Sequence, residues 1–282
     1  MNAATTIRET LRAAMAEDDR VLLLGESVGR LGGLHGTTTG LAEEFPGRVV
    51  DTPLSEAGVV GLAVGLALGG KRPVVELTGG LPRAFQQLVQ EASAISAGSS
   101  EFTVPLVVRT PYGDLPGSPG EHPESLVAGF DGLDVVAPSH AADAAAMLME
   151  ALESTRPTVV LEARSLYASS GSELQSKGED ISLFAYGGGI PVALAAAEEL
   201  GSSGISAEVV DLRSLWPLEL ERLSASVRRT ARVVLVSGSE AYAARALGVL
   251  CAECFLYLES PPRRADVEIT SIVEASVASV TY

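Results

Sequence analysis

Val50-Asp51-Thr52-Pro53-Leu54-Ser55-Glu56-Ala57-Gly58 is the stretch on which the fold of this chain turns. Arg48 to Asp51 reads as a short strand, Thr52 to Leu54 as a Pro-bearing turn, and Ala57 to Leu68 as a helix of small apolar residues with Ser55 at its N-cap position. A single carboxylate, Glu56, therefore stands at the mouth of an apolar helix. The pattern by itself favours a first-turn carboxylate stabilised by the helix dipole. A glutamate fixed against an apolar helix is also a candidate for proton chemistry. The helix carries Gly61, Gly65 and Gly69 at i, i+4 and i+8. These lie close to one face and admit a second backbone, either within the chain or across a subunit contact, because each glycine otherwise costs a soluble helix about 1 kcal/mol.

Outward from this point, strands and helices alternate. Arg20 to Leu24, Pro73 to Leu77, Val104 to Arg109, Asp134 to Ala137 and Thr158 to Glu162 read as short buried strands. Thr6 to Ala16, Pro82 to Ala97 and Ala141 to Ser154 read as helices between them. Ser165 to Asp180 is polar and reads as a linker. A second set follows, with strands at Ile181 to Ala185, Ala207 to Leu212, Val233 to Val236 and Phe255 to Leu258, and helices at Pro191 to Leu200, Leu218 to Arg229 and Tyr242 to Cys254. Short apolar strands separated by helices predict an α/β fold: mostly parallel sheets with helices on both faces, in two domains, 1–164 and 181–282.

Composition narrows the function. The 282 residues carry 36 Asp and Glu against 20 Lys and Arg, a net charge of −16, which argues against a nucleic-acid or anionic-membrane partner. No charged-then-apolar leader and no bilayer-length apolar run stand out, so a cytoplasmic location is expected. Cys251-Ala252-Glu253-Cys254 is one C-x-x-C inside an apolar helical pattern and reads as two core thiols.

Asp51-Thr52-Pro53-Leu54-Ser55-Glu56-Ala57-Gly58, its glycine-bearing helix and Lys71-Arg72-Pro73-Val74-Val75-Glu76 together resemble the beta subunit of the first component of 2-oxo acid dehydrogenases, the pyruvate, branched-chain and acetoin type, in the transketolase-like group. The likeness extends over Ile7-Arg8-Glu9-Thr10-Leu11, Leu23-Leu24-Gly25-Glu26-Ser27-Val28-Gly29, Leu133 to Ser139, Pro157 to Glu162 and Ala207 to Leu218. It implies a thiamine-pyrimidine-binding-like domain at 1–164 and a transketolase C-terminal-like domain at 181–282. In that family the glutamate at the position of Glu56 bonds the aminopyrimidine of thiamine diphosphate and favours the imino form that takes the thiazolium proton. Glu56 is thereby implied as both catalytic and cofactor-binding. His122, in Gly120-Glu121-His122-Pro123, matches where the group often carries an active-site histidine, and is a second catalytic candidate beside the alternative of an exposed loop histidine. His35, in Gly32-Gly33-Leu34-His35-Gly36, reads as part of a mobile loop, and His140 as a helix-start residue.

The chain departs from the family after Glu76. Leu77-Thr78-Gly79-Gly80-Leu81-Pro82-Arg83-Ala84-Phe85 is two residues short and lacks the aromatic that stacks on the pyrimidine, which leaves Gly79 and Leu81 as the cofactor-facing candidates. Ser154-Thr155-Arg156 lacks the acidic ligand of the family's structural potassium, so no metal is expected in this chain. The Gly-Asp-Gly…Asn motif for diphosphate and magnesium is absent. The resemblance therefore implies an alpha subunit that holds the magnesium ion and the diphosphate, an alpha2-beta2 heterotetramer, and a lipoyl domain or acyl carrier protein as acceptor of the acyl or ketol unit. The alternative is a catalytically degenerate scaffold for an alpha-type partner.

Overall fold

The computed structural model describes residues 2–113, 122–169 and 176–282. The chain forms two compact units, Met1–Ser172 and Glu173–Tyr282. In the first, α1 (Ala3–Glu17) leads to β1 (Val21–Gly25), α2 (Leu41–Glu44), β2 (Val49–Asp51), α3 (Glu56–Leu68), β3 (Arg72–Glu76), α4 (Leu81–Gln86), α5 (Ala94–Gly98), β4 (Val107–Tyr112), α6 (Glu124–Val127), β5 (Asp134–Val136), α7 (Ala141–Glu153) and β6 (Thr158–Ala163). These six strands lie in the order β2-β1-β3-β4-β6-β5, every pair parallel. Valine and leucine fill the strands because both sheet faces are covered. Val74, Val107 and Val160 join α1 and α7 in one core cluster, while the alternating Val75, Val108 and Val159 are buried on the opposite face, where α3 packs against β3.

The second unit contains β7 (Ile181–Ala185), α8 (Gly189–Ser202), β8 (Ala207–Asp211), β9 (Ser214–Trp216), α9 (Leu220–Thr230), β10 (Val233–Val236), α10 (Glu240–Cys254), β11 (Arg263–Ala265) and α11 (Ile269–Val280). Its parallel sheet runs β11-β10-β7-β8. A core of Ile181, Leu183, Val234 and Val236 lies under Ile190, Leu200 and Ile272.

Three local readings are corrected. Phe255 to Leu258 is not a strand: Phe255–Tyr257 forms a 3₁₀ turn, with Phe255 and Leu256 75% and 89% exposed, and the strand beside β10 is Arg263–Ala265, after Pro261-Pro262. Pro105 delays the fourth strand from Val104 to Val107, although Val104 and Leu106 are still buried. The first residues of the expected linker are core: Arg164–Ala168 makes a 3₁₀ turn whose Leu166 and Tyr167 are buried against the first unit. Residues 170–175 of that linker lie outside the described residues. Among the described residues no helix is long and apolar enough to cross a membrane.

Candidate active site

The opening stretch is tied to the carboxyl end of β1. Thr52 N–H donates to Gly25 O at 2.9 Å, and the Asp51 carboxylate accepts the backbone N–H groups of Gly29 and Arg30 at 2.7 and 3.1 Å. Those two donors hold the Asp51 pKa below the ordinary aspartate value. The chain then turns at Pro53, and α3 starts with Ser55 at the N-cap position, its side chain making no capping bond. Val59 N–H donates to Ser55 O and closes the first turn.

Glu56 is the first residue of α3 and is 5% exposed. Its Oε1 accepts from Arg83 Nη1 at 2.7 Å, and the rest of the Arg83 side chain lies in solvent. Among the described residues, Oε2 accepts no hydrogen bond. Gly80 also abuts this carboxylate, on its Oε1 side. A Cβ there would stand 2.5 Å from Glu56 Cγ and nearer still to the carboxylate. With φ −88° the Gly80 backbone suits any residue, so it is this close approach that requires glycine. Gly79, at φ +124°, places the Gly79-Gly80 step across the carboxyl end of β3. Leu81 is fully buried at the start of α4 and belongs to the core.

Beneath this edge lies a polar cluster inside the sheet. Glu76 and Arg109 are register partners on β3 and β4. Arg109 Nη1 donates to Glu76 Oε2 at 2.9 Å, while Nε and Nη2 grip Glu162 at 2.8 and 3.0 Å. Thr37 Oγ1 donates to Glu76 at 2.7 Å, and Tyr167 OH to Glu162 at 2.5 Å. Burial works against the charge on Arg109, but Glu162 and Glu76 outweigh it and raise its pKa. Burial, then Glu162, pushes the Tyr167 phenol up. Fully paired groups of this kind fix geometry more than they add stability.

His35 is half-buried, and the loop that carries it packs on Tyr167. Its ring stacks on Tyr167 with centroids 4.0 Å apart, and its Nε2 lies 3.4 Å from Arg164 Nη1. Thr37 and Thr38 are buried beside it, and Thr38 Oγ1 donates to Val28 O at 2.7 Å. Burial, then the Arg164 cation, lowers the His35 pKa. His122 lies just before α6. Its Nδ1 is 3.6 Å from Glu124 Oε1 in α6, which packs against α4. The preceding residues 114–121, with Gly120 and Glu121, lie outside the described residues. His140 is the N-cap of α7, its Nδ1 facing Asp143 N–H at 3.3 Å.

The glycines of α3 divide in role. A Cβ at Gly61 would stand 2.9 Å from Gln87 Oε1, so Gly61 serves contact within the chain. A Cβ at Gly65 would meet nothing within 4 Å, and Leu62 and Leu68 beside it are exposed.

Two family models divide the sequence, "Transketolase, pyrimidine binding domain" over residues 1–170 and "Transketolase, C-terminal domain" over 171–281. The pyruvate dehydrogenase E1 component subunit beta of Leifsonia xyli subsp. xyli is 39% identical over 90% of this chain and 82% of its own length. The protein of the same name from Bacillus subtilis is 36% identical over 94% of this chain and 89% of its own. The chain belongs to the beta-subunit family of thiamine-diphosphate-dependent 2-oxo acid dehydrogenase first components. A solved structure described as "Split gene transketolase, inactive beta4 tetramer" matches 100% of this chain and 98% of its own with a TM-score of 0.76. At 19% identity that likeness concerns the fold, two transketolase-like α/β units.

The residues fit the family's cofactor at its pyrimidine end. Glu56 is shielded from water, held in one orientation by Arg83 and Gly80, and has an oxygen to spare for a ring nitrogen. Sequence reasoning missed Gly80, Arg83 and the Arg109 cluster. The cluster carried a signal, since Glu76, Arg109 and Glu162 are charges within apolar runs; Arg83 carried none.

Proposed function

We propose that this beta-type subunit supplies the proton-relay half of a thiamine-diphosphate site in an enzyme that cleaves a 2-oxo acid or ketose and passes the acyl or ketol unit to a lipoyl or carrier-protein acceptor. The observation that carries this reading is the buried Glu56 carboxylate, fixed by Arg83 and Gly80 with Oε2 unbonded among the described residues. When bound, the cofactor supplies the carbanion chemistry. This chain's part is narrower. Glu56 holds a proton at Oε2 against the pyrimidine, and Arg83 fixes its rotamer. The Glu76–Arg109–Glu162 cluster stiffens the strand ends beneath. His122 is the second catalytic candidate, and Gly79 gives the ring room at the carboxyl end of β3.

The chain lacks the diphosphate and magnesium motif, so the reading requires an alpha-type partner holding both, in an alpha2-beta2 tetramer. Exposed Leu31, Leu34 and Leu54 flank the Glu56 edge, and exposed Leu62 and Leu68 lie on α3, consistent with surfaces covered by other subunits. The absence of a stacking aromatic, together with the burial of Leu81, supports the second reading, a scaffold subunit without turnover. Co-purification with an alpha-type chain, followed by thiamine diphosphate titration of wild type and Glu56→Ala, separates the two. Weakened binding and lost turnover in the mutant support the relay. Equal binding and turnover refute it.

A further inference from the structure

Arg109, inside β4, and Arg164, just after β6, are satisfied very differently. The Nε/Nη2 edge of Arg109 is closed by both oxygens of Glu162. Arg164, just after β6 and half-buried, has no carboxylate within ion-pair distance among the described residues. Its Nε is buried without a hydrogen-bond partner, and Nη1 meets only the ring nitrogen of His35 at 3.4 Å. A partly desolvated guanidinium without a counter-ion is costly and marks a place for an anion.

Three features locate that anion. Gly79 lies beside Nη2: a Cβ there would make ordinary contact with it at 3.9 Å and meet nothing else within 4 Å, so the space in front is open. Gly80, the next residue, touches the Glu56 carboxylate, so a single glycine step joins the two sites. Arg164, Gly79 and His35 all follow the carboxyl ends of parallel strands, where ligands of such sheets bind. Arg83 is paired with Glu56, and Arg109 with Glu76 and Glu162, so of these three arginines Arg164 is the one that no carboxylate contacts among the described residues. We infer that Arg164 is a substrate-binding residue that takes the carboxylate of the 2-oxo acid, with His35 orienting its guanidinium.

This inference rests on the 2-oxo acid reading above, and its test is separable from that reading. His35 is a built-in reporter. Its ring faces Arg164 and Tyr167, with Glu76, Glu162 and Arg109 near, and the Arg164 cation is one of the forces lowering its pKa. An anion seated on Arg164 cancels part of that force. The full chain, with its three histidines ¹³C-labelled, is titrated with oxamate, a 2-oxo acid mimic, and with oxamide, its neutral counterpart. The expected result is a saturable shift of the His35 signal and an upward move of its titration midpoint with oxamate only. Oxamate affinity falls roughly 10- to 100-fold in Arg164→Gln and is largely kept in Arg164→Lys, which retains the charge without the fork. An unmoved His35 signal in wild type, or equal oxamate binding by Arg164→Gln, overturns the assignment. Thiamine diphosphate affinity of the complex with the alpha-type chain, measured in parallel, stays at the wild-type value in Arg164→Gln. Failure of wild type to bind that cofactor refutes the cofactor reading alone and leaves the oxamate result to decide on Arg164.

Discussion

Gly80→Ala separates the geometry of Glu56 from its mere presence. At φ −88°, ψ 23° the Gly80 backbone accepts alanine without strain, so the added methyl acts only through space. That methyl would stand 2.5 Å from Glu56 Cγ and overlap the carboxylate, which forces the whole side chain beyond Cβ into another rotamer. The move breaks the 2.7 Å bond from Arg83 and takes Oε2 away from its pointing direction. A hydrogen bond involving a charged group is worth about 1.5–3 kcal/mol, so thiamine diphosphate binding by the complex with its alpha-type partner should weaken roughly 10- to 150-fold. Inserting one methylene into a packed site costs about 1–3 kcal/mol, so the chain should still fold. Calorimetric titration of the cofactor, with a melting curve of the same sample, reads both effects. Wild-type cofactor affinity in a folded Gly80→Ala protein would refute the placement of Glu56 at the cofactor.

Other outcomes follow from the same geometry. Arg109→Met leaves Glu76 and Glu162 buried without their cation and should destabilise the first unit by about 3–5 kcal/mol, read as a lower urea midpoint; an unchanged midpoint contradicts the buried pairing. Asp18, held down to about 2 chiefly by the Arg20 side chain, contributes stability that is complete above its unfolded value of 3.8 and is lost as pH falls toward 2. Asp18→Asn should flatten that part of the acid limb in pH-dependent melts. The His35 pKa is depressed, so the stability it contributes is present above 6.5 and lost as pH falls through its folded value. Arg164→Gln removes one cause of that depression and should move the NMR titration of His35 upward; a downward move would contradict the contact.

The parallel sheets were legible because Val and Leu runs such as Thr158 to Glu162 are buried on both faces and bounded by turn residues. The same signal failed at Phe255 to Leu258. That run is apolar and of strand length, yet no sheet edge stands beside it, and composition does not report neighbours. Glu56 was legible as a helix-mouth carboxylate, since strand, Pro turn and helix are all local. Arg83 was not, because a pairing across 27 residues depends on how α3 and α4 pack. The Arg109 cluster likewise exists only through the register of β3, β4 and β6. The contact of His35 with Tyr167 was not legible either, because it joins residues 132 apart through a loop whose Gly32, Gly33 and Gly36 adopt positive φ.

The most direct test of Glu56 as the proton relay is the exchange of the thiazolium C2 proton for deuterium in thiamine diphosphate bound to the complex of this chain with its alpha-type partner. Glu56→Gln, which keeps the shape of the side chain and removes its acid–base function, should slow that exchange by at least ~100-fold. An exchange rate equal to wild type, with the cofactor bound, would contradict the account.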